Sequence, residues 1–148
     1  MHAALANCRK NWTTPLDAAR LLERFLTGDI LPPASREFIR TTMTGCVTGQ
    51  DRLAAPLAGT GAIFGHKTGT GDREADGRLM ACNDLGFVLL PDGRRYVIAV
   101  FIKDSRATDA ATARLLADIS TLVYRHVAAS GGAESGGAES ASRPDRIP

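Results

Sequence analysis

The chain is poor in several things, and each shortage closes a possibility. Aromatic residues make up only 5% of its 148 residues and the formal net charge is +2. Basic residues are scattered, so no charged stripe interleaved with stacking side chains is available for a nucleic acid. Cysteine occurs at Cys8, Cys46 and Cys82 only. That number is odd and the spacing fits no zinc pattern, so these read as buried or half-buried thiols, with no metal site and no disulfide framework. No apolar run is long enough to span a bilayer. The opening Met1-His2-Ala3-Ala4-Leu5-Ala6-Asn7-Cys8 lacks the charged and apolar regions of a secretory signal. Lysine appears only at Lys10, Lys67 and Lys103.

What remains is globular composition, 44% apolar and 23% charged, with enough length for one domain. Residues 1 to 11 read as loop. Thr14-Pro15 starts a helix, a hydroxyl N-cap followed by proline at the first helical position. Ala19, Leu22 and Leu26 follow at helical spacing, and Gly28 ends it. A second helix opens at Leu31-Pro32-Pro33, with Phe38, Ile39, Thr42, Met43 and Cys46 on one face. Residues 48–57 predict a short helix or turn. Residues 62–68 predict a strand, followed by a polar loop over 72–78. The apolar runs 85–90 and 95–102, joined by Pro91-Asp92-Gly93, predict an antiparallel hairpin. Leu115, Leu116, Ile119, Leu122, Val123 and His126 predict one apolar face of a C-terminal helix, with His126 in a helix-end role. From Ser130 the repeated Ser-Gly-Gly-Ala-Glu cannot build a core. The expected division is therefore a domain over 1–128 and a disordered Gly/Ala/Ser/Glu-rich tail over 129–148.

The most informative run is His66-Lys67-Thr68-Gly69-Thr70-Gly71. Lys-Thr-Gly at a strand end is one of three motifs found in serine acyl-transferases of the β-lactamase and penicillin-binding type. The other two, Ser-x-x-Lys and Ser-Asp-Asn, occur nowhere in the chain. Acyl transfer from a strained amide that carries a carboxylate needs a nucleophile, a base, donors for the developing oxyanion and a clamp for the carboxylate. Lys67 could supply positive potential. The hydroxyls of Thr68 and Thr70 could bind the carboxylate, and Gly69 could leave room for the ligand. His66 reads as structural, and Asn83-Asp84 as a turn constraint ahead of a strand.

Five segments in this order resemble the C-terminal part of class A serine β-lactamases. They are Asn11-x-Thr13-x-Pro15, Thr48-Gly49-x-x-Arg52, the 66–71 run, Asn83-Asp84-Leu85-Gly86, and Leu90-Pro91-Asp92-Gly93 leading to Ala99-Val100-Phe101. Asn11-Trp12-Thr13, and His66 before Lys67, are similar to the extended-spectrum subgroup related to PER and VEB enzymes. The resemblance implies an incomplete α+β fold, a partial antiparallel sheet with flanking helices. It implies catalytic roles for Lys67 and for Thr70, whose backbone N–H would be an oxyanion donor. It implies substrate binding by Thr68, Gly69, Thr70 and Arg52, with Arg52 anchoring the carboxylate, and a structural role for Asn11. Arg73 and Asp72, in the loop beyond the strand, could touch a substrate side chain. The implied ligand is a small-molecule β-lactam, with no cofactor, no membrane partner, a monomeric state when intact, and a periplasmic location.

The same resemblance puts the general-base glutamate, the serine nucleophile and its lysine upstream of Met1. The expectation is a fragment, from a broken gene or an internal start, that is inactive alone. An uncovered sheet edge and exposed apolar surface would make it aggregation-prone. Two alternatives stand beside it: a relative of penicillin-binding DD-peptidases, and a non-catalytic remnant that binds β-lactams or anions.

Overall fold

A computed structural model describes residues 12–130. Asn11, Cys8 and the Met1-His2-Ala3 stretch lie outside the described residues, as do residues 131–148 of the expected tail. The element order is helix α1 (Pro15–Thr27), helix α2 (Pro33–Thr44), a short 3₁₀ turn (Ala55–Leu57), strands β1 (Ile63–Thr70), β2 (Leu79–Leu89) and β3 (Arg95–Ser105), and helix α3 (Asp109–Ser130). The strands form an antiparallel sheet in the order β1-β2-β3. This is the expected α+β architecture, with helices on both faces of a short sheet. Among the described residues no helix is long and apolar enough to cross a membrane.

Helix α1 begins where the sequence places it. The Thr14 hydroxyl accepts from Asp17 N–H at 3.1 Å and donates to its carboxylate at 2.8 Å. Gly28, at φ 85°, closes the other end by donating its N–H to Arg24 O. Its buried face is Ala18, Leu22 and Phe25, one position away from the expected Ala19, Leu22 and Leu26. Phe25 meets Phe87 of β2 with ring centroids 6.2 Å apart, which fixes α1 on that face of the sheet. Helix α2 lies against β1 but buries no residue fully. Phe38 stays 72% exposed, and Cys46 falls beyond the helix end.

On the opposite sheet face, Leu53, Leu79, Cys82, Ile98 and Leu116 form the core, with Phe64, Tyr96, Val100 and Ile102 packed around it. From α3, Thr112, Ala113, Leu116 and Ser120 are buried, and Ile119 and Val123 of the expected stripe pack against this core. Ser120 Oγ donates to Leu53 O at 2.8 Å, pulling the 50–57 turn against the helix. Leu115 and Leu122 are exposed, the latter at 69%, and His126 is exposed as well. Three strands give α3 a narrow floor, so among the described residues half of its wide apolar stripe stays exposed.

The β2–β3 turn follows the Pro-Asp-Gly reading. Gly93 takes φ 87° and its N–H donates to Leu90 O. Asp92 accepts from Arg94 N–H and guanidinium, and this pairing holds its carboxyl below the ordinary range. Strand β2 is longer than expected at its start, running from Leu79, so Asn83 and Asp84 are strand residues and not a turn. Strands β1 and β2 approach closely where Gly65 and Gly86 stand. A Cβ on Gly86 would lie 2.3 Å from Gly65 O, and one on Gly65 would lie 2.2 Å from the Phe87 ring.

Gly86→Ala is therefore expected to destabilise the chain by about 1–3 kcal/mol through overpacking against backbone, seen as a lower urea midpoint in pulse proteolysis. Tyr96 supplies a second prediction. Its hydroxyl is buried without a partner, and burial pushes its pKa up to about 12 from 10. The folded state then holds the phenol proton more tightly than the unfolded state. Stability is complete below pH 10 and falls as pH rises toward about 12. Tyr96→Phe is expected to keep stability at neutral pH equal or higher, and to remove this alkaline loss.

Candidate active site

The ladder of β1 on β2 decides what the Lys-Thr-Gly run presents. Register pairs Lys67 with Leu85, Thr68 with Asp84, Gly69 with Asn83 and Thr70 with Cys82. Gly71 N–H donates to Ala81 O at 2.9 Å. Hydrogen-bonded and non-bonded pairs alternate along an antiparallel ladder, so the odd-numbered residues of β1 bond to β2. The N–H and C=O groups of Thr68 and Thr70 then point off the other edge. Among the described strands none pairs with that edge.

Side chains alternate in the same way. Thr68 and Thr70 share a face with Asp84 and Cys82. There Thr48 Oγ1 and Thr68 Oγ1 lie 2.6 Å apart, and Arg52 Nη2 donates to Thr70 Oγ1 at 2.8 Å. Thr48 and Arg52 flank a turn in which Gly49 has φ 64°; a Cβ there would sit 2.5 Å from the Thr68 methyl. Glycine thus lets the turn close onto β1. Arg52 is half-buried, and its Nη1 is buried with no partner.

Lys67 and Gly69 project to the other face, into an open cleft of about 370 Å³ whose walls include Trp12, Thr13, Asn83, Leu85 and Phe101. Lys67 Nζ turns back and donates to the outward-pointing Thr68 O, which brings its charge to the open edge. A Cβ on Gly69 would meet nothing nearer than Asn83 Cβ at 4.0 Å. Neither crowding nor backbone conformation demands glycine there, so the space it leaves is available to a ligand. The expected site residues thus divide: Arg52, Thr68 and Thr70 meet on one face, Lys67 and Gly69 on the other, and both groups reach the same edge.

Among the described residues no serine or cysteine lines the cleft. Cys82 lies opposite Thr70, but burial pushes its thiol up, outweighing the attraction of Arg52, so it is not a poised thiolate. Among the described residues no group of three or more His, Cys, Asp or Glu side chains could hold a metal ion. Arg73, expected near substrate, turns away to Ala107 O and Asp109 at the start of α3.

The feature that sequence reasoning missed is a buried pair beneath the site. His66 Nδ1 and Asp84 Oδ1 lie 2.9 Å apart, at 2% and 0% side-chain exposure. Register places them as diagonal neighbours on one face, with His66 opposite Gly86 and stacked on Phe64 at 4.5 Å. Had Asp84 been assigned to a strand, its parity with Thr68 would have pointed to this pair.

The model of the β-lactamase enzyme family matches residues 1–127. A Bacteroides uniformis β-lactamase is 40% identical over 125 residues, covering 84% of this chain and 42% of that protein. The extended-spectrum β-lactamase PER-1 of Pseudomonas aeruginosa is 36% identical over 125 residues, covering 84% of this chain and 40% of its own length. The crystal structure of a representative class A β-lactamase from Bacteroides cellulosilyticus superposes with a TM-score of 0.76 at 39% identity, over 80% of this chain and 42% of that one. The chain spans about two-fifths of the length of these relatives. Fold, cleft motif and relatives agree: the chain belongs to the β-lactamase enzyme family, among the class A enzymes.

Proposed function

We propose that this chain forms the Lys-Thr-Gly wall of a serine β-lactamase cleft, and that it takes part in hydrolysis of the β-lactam amide through an acyl-enzyme once a nucleophile-bearing part is present. The observation that carries the reading is the open edge of β1, where Thr70 N–H and two cationic side chains converge.

Attack on the lactam carbonyl places negative charge on its oxygen, and a fixed backbone N–H aimed at that oxygen stabilises the transition state. Thr70 N–H is that donor. The ring carboxylate sits against the hydroxyls of Thr68 and Thr70. Arg52 already holds the Thr70 hydroxyl with Nη2, which places its charge beside the anion. A guanidinium fork suits a carboxylate, and a charge-assisted hydrogen bond is roughly twice as strong as a neutral one. Lys67 adds positive potential at the same edge. Gly69 keeps the β1 surface flat where the ligand lies. The serine, its lysine partner and the general-base glutamate come from outside these 148 residues, on the same polypeptide or another. The working unit is a monomer in the periplasm, a proposal that rests on family membership.

The purified chain alone is expected to leave a chromogenic cephalosporin at its uncatalysed rate; turnover that Arg52→Ala abolishes would contradict the assignment. It should still bind intact penicillin weakly. Arg52→Ala should remove about 1.5–3 kcal/mol of that binding, roughly ten- to a hundredfold in Kd. Gly69→Val should block binding without lowering the urea midpoint, because the space it fills belongs to the ligand. Titration by isothermal calorimetry checks both variants.

A further inference from the structure

A pocket of about 180 Å³ that the proposed reaction does not use is walled by α2, the 50–57 turn and β1. Thr44 and Cys46 line it at and just past the end of α2, Gln50 and Leu57 from the turn, and Phe64 and His66 from β1. Two of these side chains carry chemistry. Cys46 is a half-buried free thiol, and Gln50 Nε2 donates to its carbonyl at 2.9 Å, which holds its backbone in place. His66 lines the same pocket while Asp84 holds its Nδ1. A carboxylate only accepts, so Nδ1 carries the proton and Nε2 is the acceptor. Among the described residues Nε2 has no hydrogen-bond partner. Asp84, His66 and Cys46 thus supply an orienting carboxylate, a base and a thiol.

We propose that Cys46 is a site of thiol–disulfide exchange with low-molecular-weight disulfides, and that its modification regulates the Lys-Thr-Gly wall through Thr48; the regulatory half rests on the function proposed above. The step balances with that disulfide as the only co-reactant. His66 Nε2 takes the Cys46 proton, and the thiolate attacks one sulfur of the disulfide. An S–S bond forms at Cys46 and the reagent's S–S bond breaks. The leaving thiolate takes the proton back from His66, so Cys46 is oxidised and the reagent is reduced to a thiol. An adduct of a few heavy atoms fits the pocket's volume. The link to the wall is a chain of polar contacts. Cys46 Sγ donates to Thr48 O at 3.8 Å and lies 3.4 Å from Thr48 Oγ1. Thr48 Oγ1 lies 2.6 Å from Thr68 Oγ1, the hydroxyl assigned above to the ring carboxylate. A sulfur held in a disulfide has no S–H to donate, so Thr48 loses that donor and the Thr68 hydroxyl loses its fixed direction. Cys82 does not compete, because it is 3% exposed and burial pushes its thiol up.

The test uses the full chain carrying Cys8→Ser, so that Cys46 and Cys82 are the thiols left. The probe is 2-hydroxyethyl disulfide, and mass spectrometry reads the adduct. Cys46 should react at least tenfold faster in the native chain than in the same chain unfolded in urea, while native Cys82 stays unmodified. His66→Gln should remove that acceleration; the native-to-urea ratio itself does not depend on how this variant folds. In ¹⁵N spectra the adduct should shift the amides of Thr48 and Thr68 and leave those of Asp92 and Gly93 unmoved. The modified chain should bind intact penicillin at least tenfold more weakly, and dithiothreitol should restore the original Kd. A native rate no higher than the urea rate, acceleration that survives in folded His66→Gln, or an adduct that leaves Thr48 and Thr68 unmoved would each overturn the inference. Equal penicillin binding before and after modification would overturn its regulatory half. If the unmodified chain binds no penicillin, the proposed function fails instead, and the rates and amide shifts still decide the thiol site.

Discussion

The register of β1 on β2 is the constraint on which the rest of the site depends. Shifting it by one residue would send Thr68 and Thr70 to the opposite face and bring Lys67 to the face of Asp84 and Cys82. Several features lock it. Gly65 and Gly86 allow the strands to approach where no side chain fits. The His66–Asp84 pair then ties the two strands diagonally under the site, both groups fully withdrawn from water. A slipped register would leave these two polar groups buried without each other, at several kcal/mol. Polar burial here sets geometry.

From that register the chemistry follows in order. Alternation sends Thr70 N–H off the free edge. The Gly49 turn brings Arg52 to the Thr70 hydroxyl, and Lys67 folds to the Thr68 carbonyl. The edge is a liability in an isolated sheet, because it offers unpaired backbone groups to any passing strand. In the proposed site the same groups form the oxyanion wall. Cations at both sides of the edge also disfavour pairing with another copy of this strand, since like charges would be brought together.

Much of this was legible in the sequence where local chemistry decides structure. Thr14-Pro15 and Gly28 bound a helix through their own backbone preferences, and Pro91-Asp92-Gly93 makes its turn with bonds inside four residues. Lys67, Thr68 and Gly69 were identifiable because the motif is compact. Illegible features depend on distant partners. Asp84 looks like a turn residue until His66, 18 positions away, is known to pair with it. The apolar stripe of α3 was visible, but which half of it would be buried depends on the width of the sheet and on the Ser120–Leu53 bond. The one-position error in the face of α1 has the same origin, since Phe25 is chosen by Phe87.

The central claim is that the free edge of β1 is the ligand-binding wall. Backbone amide NMR of the ¹⁵N-labelled chain, titrated with intact penicillin, tests it most directly. The account predicts saturable shifts at Thr68, Gly69 and Thr70 and at the Arg52 side chain, lost in Arg52→Ala. Shifts confined to α3 or the 72–78 loop, with the β1 edge unmoved at saturation, would contradict it.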